Sequence, residues 1–133
     1  MNYHFSKIVD LPFEKAIERV TEELKTEGFG VLTEIDVKAT LKKKLDVDFR
    51  EYMILGTCNP SFAYRALQKE DKIGTMLPCN IIVQVNSQNK VEVSAVDPVA
   101  SMSSIGNPEL EEVASQVRAM LQNVIERVQS HPR

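Results

Sequence analysis

Apolar and polar positions along the chain switch period several times, and each switch marks an element. Residues 2–9 alternate, with Tyr3, Phe5 and Val9 on one face and His4 and Ser6 on the other, as in a half-buried strand. From Pro12 and Phe13 the period becomes helical. Phe13, Ala16, Ile17, Val20 and Leu24 form one face and Glu14, Glu18, Arg19, Glu22 and Glu23 the other. Asp10 is placed to cap this helix, and Gly28 to end it, because glycine adopts the left-handed conformation found after a helix C-cap. Residues 30–37 alternate again. Val31, Thr33, Ile35 and Val37 share a face that can meet the helix. Leu32, Glu34 and Asp36 share the other, which puts two carboxylates side by side on the opposite surface.

Residues 38–45 suit a short helical turn. Residues 49–56 read as a strand whose second half, apolar on both faces, implies a central position. Asn59-Pro60 starts a short helix running to about Lys69: asparagine caps free amides, and proline is pre-set for the first turn. Residues 71–79 read as a loop. Residues 81–85 and 91–95 form a hairpin around the turn at 86–90. Asp97-Pro98 ends that strand, and a loop continues to Gly106. Asn107-Pro108 then opens the longest helix, in which Leu110, Val113, Ala114, Val117, Leu121, Val124 and Val128 make an unbroken apolar stripe. The segment 130–133 reads as a frayed tail.

No repeat, low-complexity segment or linker interrupts this order, so residues 1–133 are expected to form a single domain. Strands broken by hairpins and helices predict an α+β fold: a single antiparallel sheet with the two long helices packed on one face and the other face open, displaying Glu34 and Asp36.

Composition narrows the function classes. With 43% hydrophobic and 26% charged residues among 133, the chain is globular rather than disordered. A formal net charge of −3 argues against nonspecific nucleic-acid binding, which needs a basic face to displace counterions, and leaves room only for a local basic patch. Lys42, Lys43 and Lys44 are read as a solvated helix face. No apolar run approaches the ~20 residues that cross a bilayer. The first residues have neither the basic start nor the apolar core of a secretion signal, so a cytoplasmic location with reduced cysteines is expected.

Candidate chemistry is sparse. Cys58 and Cys79 both lie where a strand meets a connection. Cys58 directly precedes a helix start, which can stabilise a thiolate. A redox pair or thiol enzyme is one reading; two small residues filling space is the favoured one. Only His4 and His131 could join them as zinc ligands, without recurrent spacing, so no metal site is expected. Glu34 and Asp36 could bind a cation or act as paired acids, but an exposed face, or ion pairs to Arg50 or the lysines, is favoured. There is no phosphate loop, no nucleophile elbow and no His-Glu-x-x-His.

The segments 28–38, 54–60 (Ile-Leu-Gly-Thr-Cys-Asn-Pro), 77–80 (Leu-Pro-Cys-Asn) and 97–98 (Asp-Pro), in this order and spacing, resemble the domain-of-unknown-function 302 family over nearly the whole chain. The resemblance implies a fold similar to that of the TATA-binding protein, a curved antiparallel sheet with two helices on one face, and a homodimer. It implies no reaction, it leaves any cofactor unknown, and a shared fold does not transfer DNA binding. It directs attention to Glu34, Asp36, Lys38, Cys58, Asn59, Cys79, Asn80 and Asp97 as ligand-binding candidates, with Pro60, Leu77, Pro78 and Pro98 around them. The expectation is a noncatalytic, dimeric binding module that holds a small ligand or a partner on the open face or edge of its sheet.

Overall fold

A computed structural model describes residues 2–128; His131 and the tail read at 130–133 lie outside the described residues. The chain runs β1 (His4–Val9), α1 (Phe13–Thr26), β2 (Gly30–Asp36), α2 (Val37–Leu45), β3 (Tyr52–Cys58), α3 (Pro60–Lys69), β4 (Cys79–Val85), β5 (Val91–Val96), α4 (Pro98–Met102) and α5 (Pro108–Arg127). The five strands form an antiparallel, curved and unclosed sheet in the order β1-β5-β4-β3-β2. This is the α+β architecture that the periodicities predict.

One face of the sheet carries Leu55, Ile81, Val83, Val93 and Ala95. These cluster with Ala16, Val20 and Leu24 of α1 and with Leu110, Val113, Leu121 and Val124 of α5. The helical stripes thus face the sheet, and burial of these apolar side chains holds the two layers together. The other face carries Ser6, Ser94, Ile82, Gln84, Tyr52 and Ile54, away from the packed stripes of α1 and α5.

Several details depart from the sequence reading. Asp10 does not cap α1; Pro12 occupies that position and no side chain caps the helix. The segment 71–79 contains a 3-10 turn at Ile73–Met76, and β4 already begins at Cys79. The stretch read as a loop from Asp97 to Gly106 holds α4 and a 3-10 turn at Ser103–Ile105. Asp97-Pro98 is therefore a helix start, with the Asp97 carboxylate accepting from the amides of Val99 (2.9 Å) and Ala100 (3.4 Å). It is the same cap-then-proline chemistry as Asn59-Pro60 and Asn107-Pro108.

The largest departure is in β2. Its register against β3 shifts between Val31, opposite Thr57, and Thr33, opposite Gly56. Leu32 is the extra residue of a bulge. Paired residues share a face, so every side chain after the bulge changes sides. Glu34 lies opposite Leu55 and Asp36 opposite Met53, on the helix-bearing side, while Thr33 and Ile35 turn to the open face. The two carboxylates do share a face, as expected, but not the open one. Both are exposed because β2 is an edge strand.

Candidate functional site

A cleft of about 310 Å³ opens at the end of the sheet where β3 stops and β4 begins, between the sheet and helices α3, α4 and α5. Its parts are set by local chemistry. Helix α1 ends in a Schellman arrangement: the Gly28 amide bonds the Lys25 carbonyl (3.1 Å) and the Phe29 amide bonds the Leu24 carbonyl (2.9 Å). Gly28 holds φ +82°, and a Cβ there would lie 3.1 Å from Asn59 Nδ2. This stop turns Phe29 inward to a buried position on the cleft wall. The bulge residue Leu32, 65% exposed, stands at the mouth.

Asn59 has two structural tasks. Its Oδ1 accepts from the Phe62 amide at the start of α3 (3.5 Å), and its Nδ2 donates to the Glu27 carbonyl (3.1 Å). It thereby fixes α3 to the end of α1. Phe62, Ala63, Ala66 and Leu67, spaced along one side of α3, line the cleft. Asn107 does the matching job at the far end: its Nδ2 reaches the Lys69 carbonyl (3.0 Å), while Lys69 pairs with Glu109 (3.1 Å). The walls formed by α3 and α5 are thus tied together. The floor comes from Thr57, Cys58, Leu77, Pro78 and Cys79. Pro98 and Met102 of α4 and Val113, Ala114 and Val117 of α5 close the remaining side.

The two cysteines line this same cleft, and both are free thiols. Cys79 is buried opposite Thr57, whose hydroxyl donates to the Cys79 carbonyl (2.9 Å). Burial, with a smaller contribution from the neighbouring Cys58, pushes the Cys79 thiol up to about 11. Burial also raises the Cys58 thiol. The direction is opposite to the one a helix start would impose, because loss of hydration penalises a thiolate. Both thiols are expected to be sluggish nucleophiles. In an alkylation series on the native protein, Cys58 should label more slowly at neutral pH than a free thiol. Cys79 should label only above about pH 10 or on denaturation. Rapid labelling of Cys58 with an apparent pKa below ~8.5 would restore the activated-thiol reading.

The other sequence candidates sit elsewhere. Asp36 caps α2 by accepting from the Ala39 amide (2.9 Å). Lys38 is exposed on that helix, and Glu34 makes no ion pair among the described residues. Arg50 does not reach the carboxylates: it donates to Gln84 (2.9 Å) and stacks on Phe49. Lys42 pairs with Asp46 (3.0 Å). Asp97 is buried; besides capping α4 it accepts from Arg118 Nε (3.1 Å), whose guanidinium lies over the Phe5 ring. Asp97 serves the cleft indirectly, by setting Pro98 and Met102 in place.

Asn80 projects to the open sheet face, where a shallow concavity of about 610 Å³ also includes His4, Ser6, Ser94, Glu92 and Tyr52. There His4 Nδ1 meets Ser6 Oγ (2.8 Å), and Ser6 Oγ meets Ser94 Oγ (2.7 Å). Among the described residues no carboxylate hydrogen-bonds the imidazole, so nothing orients it as a nucleophile–base pair requires. No three His, Cys, Asp or Glu side chains among the described residues come together as a metal site.

All four segments that carry the family resemblance meet at the cleft: 28–38 through Phe29 and Leu32, 54–60 through Thr57, Cys58 and Asn59, 77–80 through Leu77, Pro78 and Cys79, and 97–98 through Pro98. The family described as the domain of unknown function DUF302 matches residues 5–128. The chain belongs to this family. Its structure is similar to the crystal structure of an uncharacterized conserved DUF302 protein from Bacillus stearothermophilus, with a TM-score of 0.91 at 30% sequence identity. That match covers 97% of this chain and 100% of the other. A comparison with curated proteins finds no match.

The sequence names Cys58, Asn59 and Cys79 as candidates but leaves open whether the two cysteines lie together; the fold brings all three to one cleft. Sequence reasoning missed the helical half of the site. Val113, Ala114 and Val117 were legible only as part of an apolar stripe, and a stripe does not reveal that one section of it faces a void. Met102 was missed because α4 was missed, although Asp97-Pro98 carried the signal.

Proposed function

We propose that this DUF302 protein is a small noncatalytic binding module that holds a small ligand in the cleft between the β3–β4 end of the sheet and helices α3, α4 and α5. The observation that supports this reading is the meeting of the four family segments at one concavity. Only part of their residues fill a core; the rest shape an opening with room for a guest. The expected position on the open sheet face is less favoured, since of the family-segment residues only Pro78, Cys79 and Asn80 border that concavity.

The module works as a homodimer in this reading. Support comes from the β2 edge, where Leu32 and Ile35 are exposed, and from α2, which buries none of its residues and leaves Leu45 65% exposed. A nine-residue helix without a buried face is marginal by itself, and an isologous two-fold contact is the commonest way to cover such a surface. The location is taken as cytoplasmic, where two unpaired thiols stay reduced. Among the described residues no helix is long and apolar enough to cross a membrane.

Native mass spectrometry of freshly purified protein at tens of micromolar tests both parts. The expected spectrum is a dimer, carrying a small-molecule adduct that gentle activation removes. A bare monomer would count against both the ligand and the assembly.

A further inference from the structure

Resting on the reading of the cleft as a ligand site, we infer that it selects an uncharged, predominantly apolar molecule of one or two rings, recognised by shape and desolvation rather than through a head group. The lining includes no Asp, Glu, Lys, Arg or His side chain. The titratable groups in it are the Cys58 and Cys79 thiols, and burial keeps both protonated at neutral pH.

The polar side chains in the wall are already engaged within the protein. Thr57 donates its hydroxyl proton to the Cys79 carbonyl. Asn59 donates one amide hydrogen to the Glu27 carbonyl and accepts from the Phe62 amide through its oxygen. The cations of α3 are held outside the lining: Arg65 donates to Gln116 (3.2 Å) and Lys69 to Glu109 (3.1 Å). A carboxylate or ammonium entering the cleft would lose its hydration and find no oppositely charged side chain in the lining, which is strongly unfavourable. An apolar guest meets Phe29 and Phe62, Leu77 and Met102, and gains burial without stranding a polar group. Volume sets the size. About 310 Å³ holds roughly ten water-sized groups at ~30 Å³ each, at the small end of the ~300–1,000 Å³ range of ligand pockets.

Three isosteric probes test the class: acetylnaphthalene, naphthoate and naphthylmethylammonium, each titrated into the full-length protein by calorimetry. Protection of Cys58 from iodoacetamide at mildly alkaline pH reports whether the probe occupies the cleft. The expected result is that acetylnaphthalene slows Cys58 alkylation and binds at least tenfold more tightly than either charged isostere. Ala63→Leu, which adds bulk at a partly buried wall position, should abolish that protection while the circular dichroism spectrum is kept. Should this variant fail to fold, the three-probe comparison on the unaltered protein still decides. Naphthoate or the ammonium protecting Cys58 as well as the ketone does would overturn the ligand class and leave the binding reading standing. Absence of protection by all three, or full protection in a folded Ala63→Leu variant, would overturn the site itself.

Discussion

Leu121→Ala is expected to destabilise the protein by about 2–5 kcal/mol in urea or guanidinium unfolding, from lost transfer energy plus a residual cavity. Leu121 is fully buried on α5, in the middle of the stripe that packs on the sheet, and belongs to the same cluster as Val20, Leu24 and Val93. Its neighbours come from elements far apart in sequence and are fixed by sheet and helix geometry, so they cannot collapse readily into the space left behind. Substitution at the exposed Ala119 on the same helix provides the control, since it leaves helix propensity comparable and touches no core. A loss under about 0.5 kcal/mol for Leu121→Ala would place the stripe outside the core, contrary to a buried large-to-small change.

Asp97→Ala is expected to cost about 2–3 kcal/mol, combining loss of a helix cap (~0.5–2) with loss of a charge-assisted hydrogen bond to Arg118 (~1.5–3, reduced because water reaches the guanidinium). Asp97 is 8% exposed and serves both partners through separate oxygens, Oδ1 to the amides of Val99 and Ala100 and Oδ2 to Arg118. Asp97→Asn keeps a capping oxygen and should cost only about 1 kcal/mol. The two substitutions therefore separate the cap from the ion pair. Because α4 supplies Pro98 and Met102 to the cleft, Asp97→Ala should also weaken acetylnaphthalene binding, whereas Asp97→Asn should leave it nearly intact. Equal stability losses in the two variants would show that the cap contributes nothing.

Legibility in the sequence followed the range of the interaction. Helix starts at Asn59-Pro60 and Asn107-Pro108 were readable because cap and proline act on amides two or three residues away. The stop at Gly28 was readable for the same reason: both bonds that close it lie within six residues. Helix α4 obeys the same rule, since Asp97-Pro98 supplies the cap and the first-turn proline that open it. Gly56 shows the opposite case. Nothing in its immediate neighbours demands glycine, yet a Cβ there would collide with Thr33 Oγ1 of β2 and come 2.9 Å from Cγ of Pro78, the residue that leads into β4.

Periodicity and capping chemistry by themselves determined the strands, the long helices, the α+β class and the two helical stripes that face the sheet, because each depends on contacts within a few residues or on one face of one element. Tertiary pairing decided the rest. Whether β2 carries Glu34 and Asp36 toward the helices or away depends on a bulge at Leu32, and a bulge exists only relative to the partner strand β3. The cleft is likewise a property of the assembly. Its walls come from residues as distant as Phe29 and Val117, each apolar for ordinary reasons, and the space between them is set by how closely α3, α4 and α5 can approach the end of the sheet.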